Sequence, residues 1–479
     1  MKVKINHDNQ YGVAHLIKTF FKEVTFVLEG DSETIINSIE KNSEKVVVSA
    51  SYHGKTYQET VQLTSDEQIN KRLIKRSNAR VLYDLSHEIT GVENHYGTLV
   101  GVRPVKLVHE MFNKNYSDEE IDAVLYNEHR ISKHKRALLL EIAKREKPFL
   151  LDADDTSKLS LYICIPFCPT RCLYCSFPSN DMRQKGKLVE MYFECLLREI
   201  DEAYKKIVTN HLEVDCIYIG GGTPSVLTEG QFEILLKKLD QYFDCATLKE
   251  FTVEAGRPDT ITRDKLNVLK KYDVSRICVN PQSMNNKTLQ LIGRDHETKD
   301  IIESYNLAKT VGFNSINMDL ILGLPDETLE DVEKTLETII ALDPENITIH
   351  TLAVKVSSRL KETLDKYQMT QAELVEEMLK STESVLRSNG YVPYYMYRQK
   401  NMVGNFENIG YCKEGYESLY NIRIIEEKHS ILALGAGAVS KKCYPKKDLF
   451  HRIANVKGIE DYISRIDEVI EKEASFFEI

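Results

Sequence analysis

The sequence predicts an α/β protein: a run of parallel strands, preceded by an N-terminal α+β domain and followed by a mixed α/β extension. Three observations predict it. Between Leu159 and Leu352, short β-rich runs alternate with amphipathic helical stretches. That alternation implies parallel pairing, because parallel neighbours need a crossover. Residues 1 to about 65 are instead β-rich in close succession, and the stretch that follows is helical and highly charged. A polar stretch, KPFLLDADDTSK, separates this region from the alternating one and reads as a linker. The domains expected are 1–150, 158–353 and 354–479, and a chain of 479 residues is long enough for that number.

The elements follow in order. KVKIN, EVTFVLEG, KVVVSASY and KTYQETVQL read as strands of a small sheet. From Ser65 to Lys147 the pattern is helical, and GTLVGVRPVKLVHEMF reads as a turn leading into a helix with Pro104 near its first position. Six strand–helix units come next, with strands SLYICI, DCIYIGG, FTVEA, RICVN, INMDLILG and NITIHTL. Helices are expected around Leu188–Ile207 and Glu229–Phe243. Six units fall short of a closed eight-unit barrel, which leaves a partial barrel or an open sheet. From Tyr391 onward the chain is rich in Tyr and Gly and ends in a charged helix.

Composition narrows the function classes. Hydrophobic content of 42% and charged content of 28% describe an ordinary globular chain. A net charge of −10 argues against a nucleic-acid surface as the main business. No apolar run is long enough to span a bilayer, and MKVKINHDNQ lacks the core of a signal peptide. The expected location is cytoplasmic, where thiols stay reduced.

Four of the ten cysteines lie in CIPFCPTRCLYC, residues 164–175. Cys168, Cys172 and Cys175 stand four and three positions apart in a loop after a strand, so three thiolates can converge without a helix resisting. Thiolates suit zinc or an iron–sulfur cluster. A closed structural zinc site takes four ligands, and Cys164 could supply the fourth. Its place in the strand YICIP makes a packed side chain the stronger reading. A cluster held by three cysteines would keep one iron open. Cys195, Cys216, Cys245, Cys278, Cys412 and Cys443 are scattered singly and read as buried hydrophobes.

YICIPFCPTRCLYCSF resembles the CxxxCxxC signature of radical S-adenosylmethionine (SAM) enzymes, and its lead-in resembles the oxygen-independent coproporphyrinogen III oxidase family. The resemblance covers residues 158–450, with the motifs in unbroken order. It implies a partial (β/α)6 TIM-like barrel of the radical SAM type, a [4Fe–4S] cluster on Cys168, Cys172 and Cys175, and SAM on its open iron. The same resemblance implies SAM contacts for Gly221, Gly222 and Thr223 in YIGGGTPS, for Glu254 in FTVEAGRPD and for Gln282 in VNPQSM. It extends them to Arg294 in IGRD, Asp319 in NMDLILGLP and Val439 in ALGAGAVS. Tyr162 and Tyr174 match the aromatic positions flanking the cluster loop. Read from the residues alone, Arg294 fits a solvated helix-end salt bridge and Asp319 a turn cap. The shared address of Glu254, Gln282 and Asp319 at or near strand C-termini favours a ligand site.

Departures are visible too. The family's oxidases carry a further Cys where this chain has Phe177, and a His where it has Cys164. Leu352 fits the family's contact on the sixth strand poorly. GVRPVKL, IHTLAVK, YYMYRQKN and YNI resemble the HemZ-like subgroup. The resemblance implies a tetrapyrrole substrate and an electron donor such as flavodoxin or ferredoxin. It also implies the oxidative decarboxylation of coproporphyrinogen III to protoporphyrinogen IX. Two related branches supply alternatives: a haem chaperone, which also lacks the extra Cys, and an anaerobic haem-opening methyltransferase. A pocket for a tetrapyrrole needs cationic groups at its rim and aromatic walls. Tyr394–Lys400 and Lys441–Lys442 offer that mixture, with a half-buried strand as the plain reading of each. No catalytic residue is assigned.

Overall fold

The computed structural model describes residues 1–99, 101, 103–150, 155–355, 358–362, 370–399, 405–447 and 449–478. Val102 of GVRPVKL, residues 151–154 of the linker stretch, and Lys400 and Asn401 of YYMYRQKN lie outside them. The chain divides into two compact units, Met1–Lys144 and Arg145–Ile479.

The first unit is built on a five-stranded sheet of β1 (Lys2–Ile5), β2 (Thr25–Phe26), β3 (Thr34–Lys41), β4 (Lys45–Tyr52) and β5 (Lys55–Gln62), in the order β2-β1-β3-β4-β5. One face of β4, Val46, Val48 and Ala50, is fully buried in a cluster with Val81, Leu82 and Leu85 of the helix Glu67–Thr90. Asp66 caps that helix by accepting from the amides of Gln68 and Ile69. Pro104 opens the next helix, Pro104–Phe112, where its missing N–H costs nothing.

The second unit contains the six expected strands: β6 (Lys158–Ile165), β9 (Glu213–Gly221), β10 (Glu250–Gly256), β11 (Arg276–Val279), β12 (Ile316–Leu322) and β13 (Asn346–Thr351). Between β6 and β9 lie two short strands, β7 (Phe167–Cys168) and β8 (Asn180–Asp181), paired with each other. The six are parallel neighbours in the order β13-β12-β11-β10-β9-β6, the partial (β/α)6 barrel. Their crossover helices include Val189–Thr209 and Glu229–Phe243, the latter opened by a capping box between Thr228 and Gln231.

The C-terminal region extends this sheet at both ends. β14 (Val392–Tyr397) and β15 (Asn408–Cys412) add antiparallel strands beyond β13. At the other end β16 (Ser430–Leu434) pairs parallel with β6, and β17 (Val439–Tyr444) and β18 (Leu449–Ala454) complete an eleven-stranded sheet. A parallel partner for the first barrel strand, supplied from the end of the chain, is absent from the sequence reading.

The helix Leu419–Glu426 is fastened to this sheet at both ends. The Glu250 carboxylate accepts from Ser418 Oγ (3.0 Å), Leu419 N (2.7 Å) and Tyr420 N (3.2 Å). Arg423, fully buried, donates from both terminal nitrogens to Asp215 (2.6 and 3.1 Å). The first of these satisfies helix-end N–H groups with a charge where the helix dipole favours one. Glu250→Ala leaves those donors buried and unpaired, so it should cost roughly 2–3 kcal/mol in urea denaturation. Tyr420 should become accessible to quenchers at the same time.

Candidate functional site

Parallel register assigns the inner face of the barrel. Tyr162 pairs with Tyr218, Tyr218 with Thr252, Glu254 with Cys278, Cys278 with Asn317, and Asp319 with Thr348. Register partners in a parallel sheet share a face, so these side chains, with His350 two positions after Thr348, line one surface. Tyr420 stacks on it from the helix Leu419–Glu426, 4.4 Å from the Tyr218 ring and 6.2 Å from that of Tyr162. For parallel strands buried on both sides the expectation is apolar. A face carrying Glu254, Asn317, Asp319, Thr348 and His350 is therefore the unusual feature.

The three cysteines of the signature are held at one end of this face. Cys168 belongs to β7, whose pairing with β8 closes the intervening residues into a separate excursion. Within it, Cys175 N donates to Cys172 O (3.3 Å), turning the backbone so that both thiols lie on the same short loop. The loop is tied down from outside: Leu173 N donates to Ile292 O (3.0 Å) and Thr170 Oγ1 to Gly293 O (2.9 Å). Burial pushes the Cys168 thiol above its ordinary value, and the Cys175 thiol up to about 11. Cys164 is fully within the strand packing, clustered with Ala433 and Ala438, and burial pushes its thiol to about 12. All ten cysteines are free thiols; of the scattered six, only Cys195 is not buried.

The glycine loop lies directly against the cysteine loop. Gly222 N donates to Ile165 O (2.9 Å), Thr223 N to Phe167 O (2.8 Å) and Thr223 Oγ1 to Cys168 Sγ (3.6 Å). Gly221 has φ +116°, which L side chains rarely adopt, and a Cβ on Gly222 would lie 2.5 Å from Phe167 O and 2.9 Å from Cys168 Sγ. Glu254, at the end of β10, accepts from Tyr218 OH (2.7 Å). Burial, with the Asp319 charge adding to it against the Tyr218 hydrogen bond, pushes its carboxyl up to about 7. Asp319 accepts from Asn317 Nδ2 (2.7 Å) and lies 3.8 Å from His350 Nε2. Burial opposes its ionisation, but the His350 and Asn317 contacts outweigh it and hold the carboxyl below its ordinary value.

Arg294 and Asp319 depart from the readings their residues alone suggested. Arg294 is buried, donates to Asn280 O (2.6 Å) and to Tyr174 OH (3.5 Å), and leaves its Nε without a partner. Asp319 sits within β12. Gln282 is buried in the left-handed region at φ 68°, its amide and carbonyl bonded to Asp319 O and Ile321 N. Val439 opens β17 and is 40% exposed, one residue after the Ala438 that packs on Cys164. Leu352 is buried and donates its amide to Leu322 O.

Of the tetrapyrrole-rim candidates, Tyr394 and Tyr395 are buried and Tyr397 OH lies 3.4 Å from His350 Nδ1. Arg398 bonds Asn405 O, Lys441 pairs with Glu427, and Lys442 stands over the Phe476 ring. Tyr218, Tyr420, His350 and Arg257 are further residues of the site that no expectation from the sequence names. Tyr420 lies in YNI and His350 in IHTLAVK, stretches in which the resemblance assigns neither residue a contact. Arg257, beside the strand end in EAGRPD, was within reach of a reading by strand edge.

The residues present fit an iron–sulfur cluster with a small polar ligand. Three free thiols share one loop, a glycine leaves room against one of them, and Glu254 and the unpartnered Arg294 Nε offer opposite charges nearby.

Comparison with known proteins agrees. The profile of the Radical SAM superfamily matches residues 162–339. The oxygen-independent coproporphyrinogen-III oxidase-like protein HemZ of Bacillus subtilis (strain 168) is 35% identical across 100% of this chain and 98% of its own. The chain belongs to the radical SAM family of oxygen-independent coproporphyrinogen III oxidase-like proteins, which uses a [4Fe–4S] cluster and SAM. The heme chaperone HemW of the same bacterium is 30% identical over 58% of this chain and 70% of its own. In fold, the chain is similar to coproporphyrinogen III oxidase (HemN) from Escherichia coli, at a TM-score of 0.53 and 23% identity. That match covers 68% of this chain and 73% of that one. Among the described residues no helix is long and apolar enough to cross a membrane.

Two outcomes are expected. Gly222→Ala should displace the Phe167 backbone and the Cys168 sulfur and lower stability by roughly 1–3 kcal/mol in chemical denaturation. A carboxyl raised in the folded state binds more protons there than in the unfolded chain. The contribution of Glu254 to the stability of the metal-free protein should therefore fall as pH rises from about 4.5 to about 7, and level off above. Glu254→Gln should remove its share of that decline, roughly 1–3 kcal/mol, when denaturation curves at pH 5 and pH 8 are compared.

Proposed function

We propose that the chain is a radical SAM oxidoreductase acting on a tetrapyrrole, decarboxylating the propionates of coproporphyrinogen III oxidatively to give protoporphyrinogen IX. The observation that carries this reading is the extent of the similarity. The HemZ relative matches the whole chain, including the N-terminal unit and β14–β18, whereas the HemW relative matches 58% of it.

When bound, the cluster and SAM supply the electron transfer and the hydrogen-abstracting radical of the family. The chain's own residues do the holding. Cys168, Cys172 and Cys175 would hold the cluster, and the Gly221–Thr223 backbone, packed against Cys168, would hold SAM beside it. Glu254 would accept from the SAM ammonium. Its raised carboxyl makes that binding release a proton below about pH 7. Arg294 Nε would donate to an anionic group of SAM, and Asp319, kept ionised by His350 and Asn317, would accept from one of its hydroxyls. Tyr162, Tyr218 and Tyr420 form an aromatic wall that keeps water from the reacting atoms. Tyr174, within the cysteine loop, is held by Arg294. Val439 and Gln282 complete the apolar and backbone lining, and an electron carrier such as flavodoxin or ferredoxin reduces the site.

A second reading, haem binding without turnover, is favoured by one observation. The position of the oxidases' additional Cys is Phe177, 59% exposed, which offers no thiol to a reaction.

Anaerobic incubation of the reconstituted protein with SAM, reductant and coproporphyrinogen III separates the two. The oxidase gives 5′-deoxyadenosine with loss of CO2 and hydrogen at each reacting propionate. Intact coproporphyrinogen together with stoichiometric haem binding would replace it with the chaperone reading. SAM affinity should fall by roughly 1.5–3 kcal/mol in Glu254→Ala, measured by equilibrium dialysis above pH 7, where the carboxylate is charged.

A further inference from the structure

The stretch Thr252–Asp259 delivers one side chain, Glu254, to Tyr218 on the barrel's inner face and another, Arg257, to the cysteine loop. Glu254 points onto the inner face of the barrel. One residue on, the register of β10 with β11 shifts between Glu254 and Gly256, and Gly256 takes φ +64°. Arg257 N then donates to Ala255 O (2.8 Å) in a tight turn, and the Arg257 side chain runs beneath the loop. It is 3% exposed.

Its guanidinium is fully directed. Nε and Nη2 form a two-pronged pair with the Asp259 carboxylate, both at 3.0 Å. That leaves Nη1 for Thr170, to Oγ1 at 2.7 Å and the carbonyl at 3.3 Å. Thr170 lies between Cys168 and Cys172 and passes its own hydroxyl hydrogen to Gly293 O. His296, buried, closes the far side with Nδ1 3.7 Å from Asp259. The planar fork lets Arg257 bind a carboxylate and a backbone carbonyl at once, a geometry a lysine lacks.

We propose that Arg257 is a positioning residue for the iron–sulfur cluster. It fixes the Thr170 segment so that the three thiols are preorganised, and it sets a permanent positive charge behind Cys168 that favours the reduced cluster. The proposal rests on the reading of Cys168, Cys172 and Cys175 as ligands. Outer-shell partners orient ligands and tune metals, and a cluster's potential follows net charge and hydrogen bonding around it. Reduction adds one negative charge to the cluster. Asp259 balances the guanidinium on its Nε and Nη2 side, and Nη1 turns the positive end of the pair toward the cysteine loop, which stabilises the reduced form more than the oxidised one.

The test uses the full-length protein reconstituted anaerobically, with iron release to a chelator and the cluster's midpoint potential as readouts. Arg257→Gln should release iron roughly 10–100-fold faster and shift the potential to more negative values. Arg257→Lys should release iron faster while its potential stays near wild type, because charge is kept and the fork is lost. Thr170→Val should do likewise, and decides the positioning claim should Arg257→Gln not fold. Wild-type iron retention in Thr170→Val, or faster release at an unchanged potential in Arg257→Gln, would overturn the proposal. Cys172→Ala separates the two levels: if it keeps its full iron content, the ligand reading itself fails, whatever Arg257 does.

Discussion

The site depends on one register, that of β6 against β9. Cys164 faces Gly220 and Ile165 faces Gly221 in that ladder, so the strand ends bring two loops to the same point. The Gly222 and Thr223 amides then bond the carbonyls of Ile165 and Phe167 and continue the ladder into the loops. The contact leaves no room for a Cβ at Gly222. A slip of one residue would put Tyr162 and Tyr218 on opposite faces and carry a side chain into the cysteine loop. The neighbouring parallel pairs pass the same alignment along the sheet, which is why Glu254, Cys278 and Asp319 arrive on one surface.

A polar inner face costs free energy unless each group finds a partner. Here the partners are arranged in series. Tyr218 bonds Glu254, Asn317 bonds Asp319, and Thr348 Oγ1 bonds Asn317 Oδ1 at 2.9 Å. His350 stands between Asp319 and Tyr397, so the C-terminal strands share the same polar surface as the barrel. Helix Leu419–Glu426 covers the face with Tyr420, and its two buried anchors, Glu250 and Asp215, come from the barrel strands. Barrel and extension are thereby one compact unit.

Much of this was legible in the sequence because it is local. The six strands, the helix Glu229–Phe243 and the cysteine loop each follow from short-range pattern. Less was legible where the chain returns from afar. β16 joins β6 across more than half of the unit's length, and SILAL carries no sign of which strand it will pair with. The same holds for Tyr420 on the Tyr162–Tyr218 stack. Arg294 looked like a surface cation because an exposed and a buried arginine read alike in one sequence. Its burial comes from the packing of the Asn280 and Tyr174 segments around it. The N-terminal unit folds around its own core, Val46, Val48, Val81 and Leu85, without a motif that assigns it chemistry.

The central claim is that the three signature cysteines and the glycine loop form a single site where SAM meets an open iron. Hyperfine spectroscopy of the reduced, reconstituted protein with SAM labelled at its amino nitrogen tests this directly. The account predicts coupling between the labelled nitrogen and the cluster, lost in Cys172→Ala. A cluster that forms fully and shows no coupling to bound SAM would contradict it.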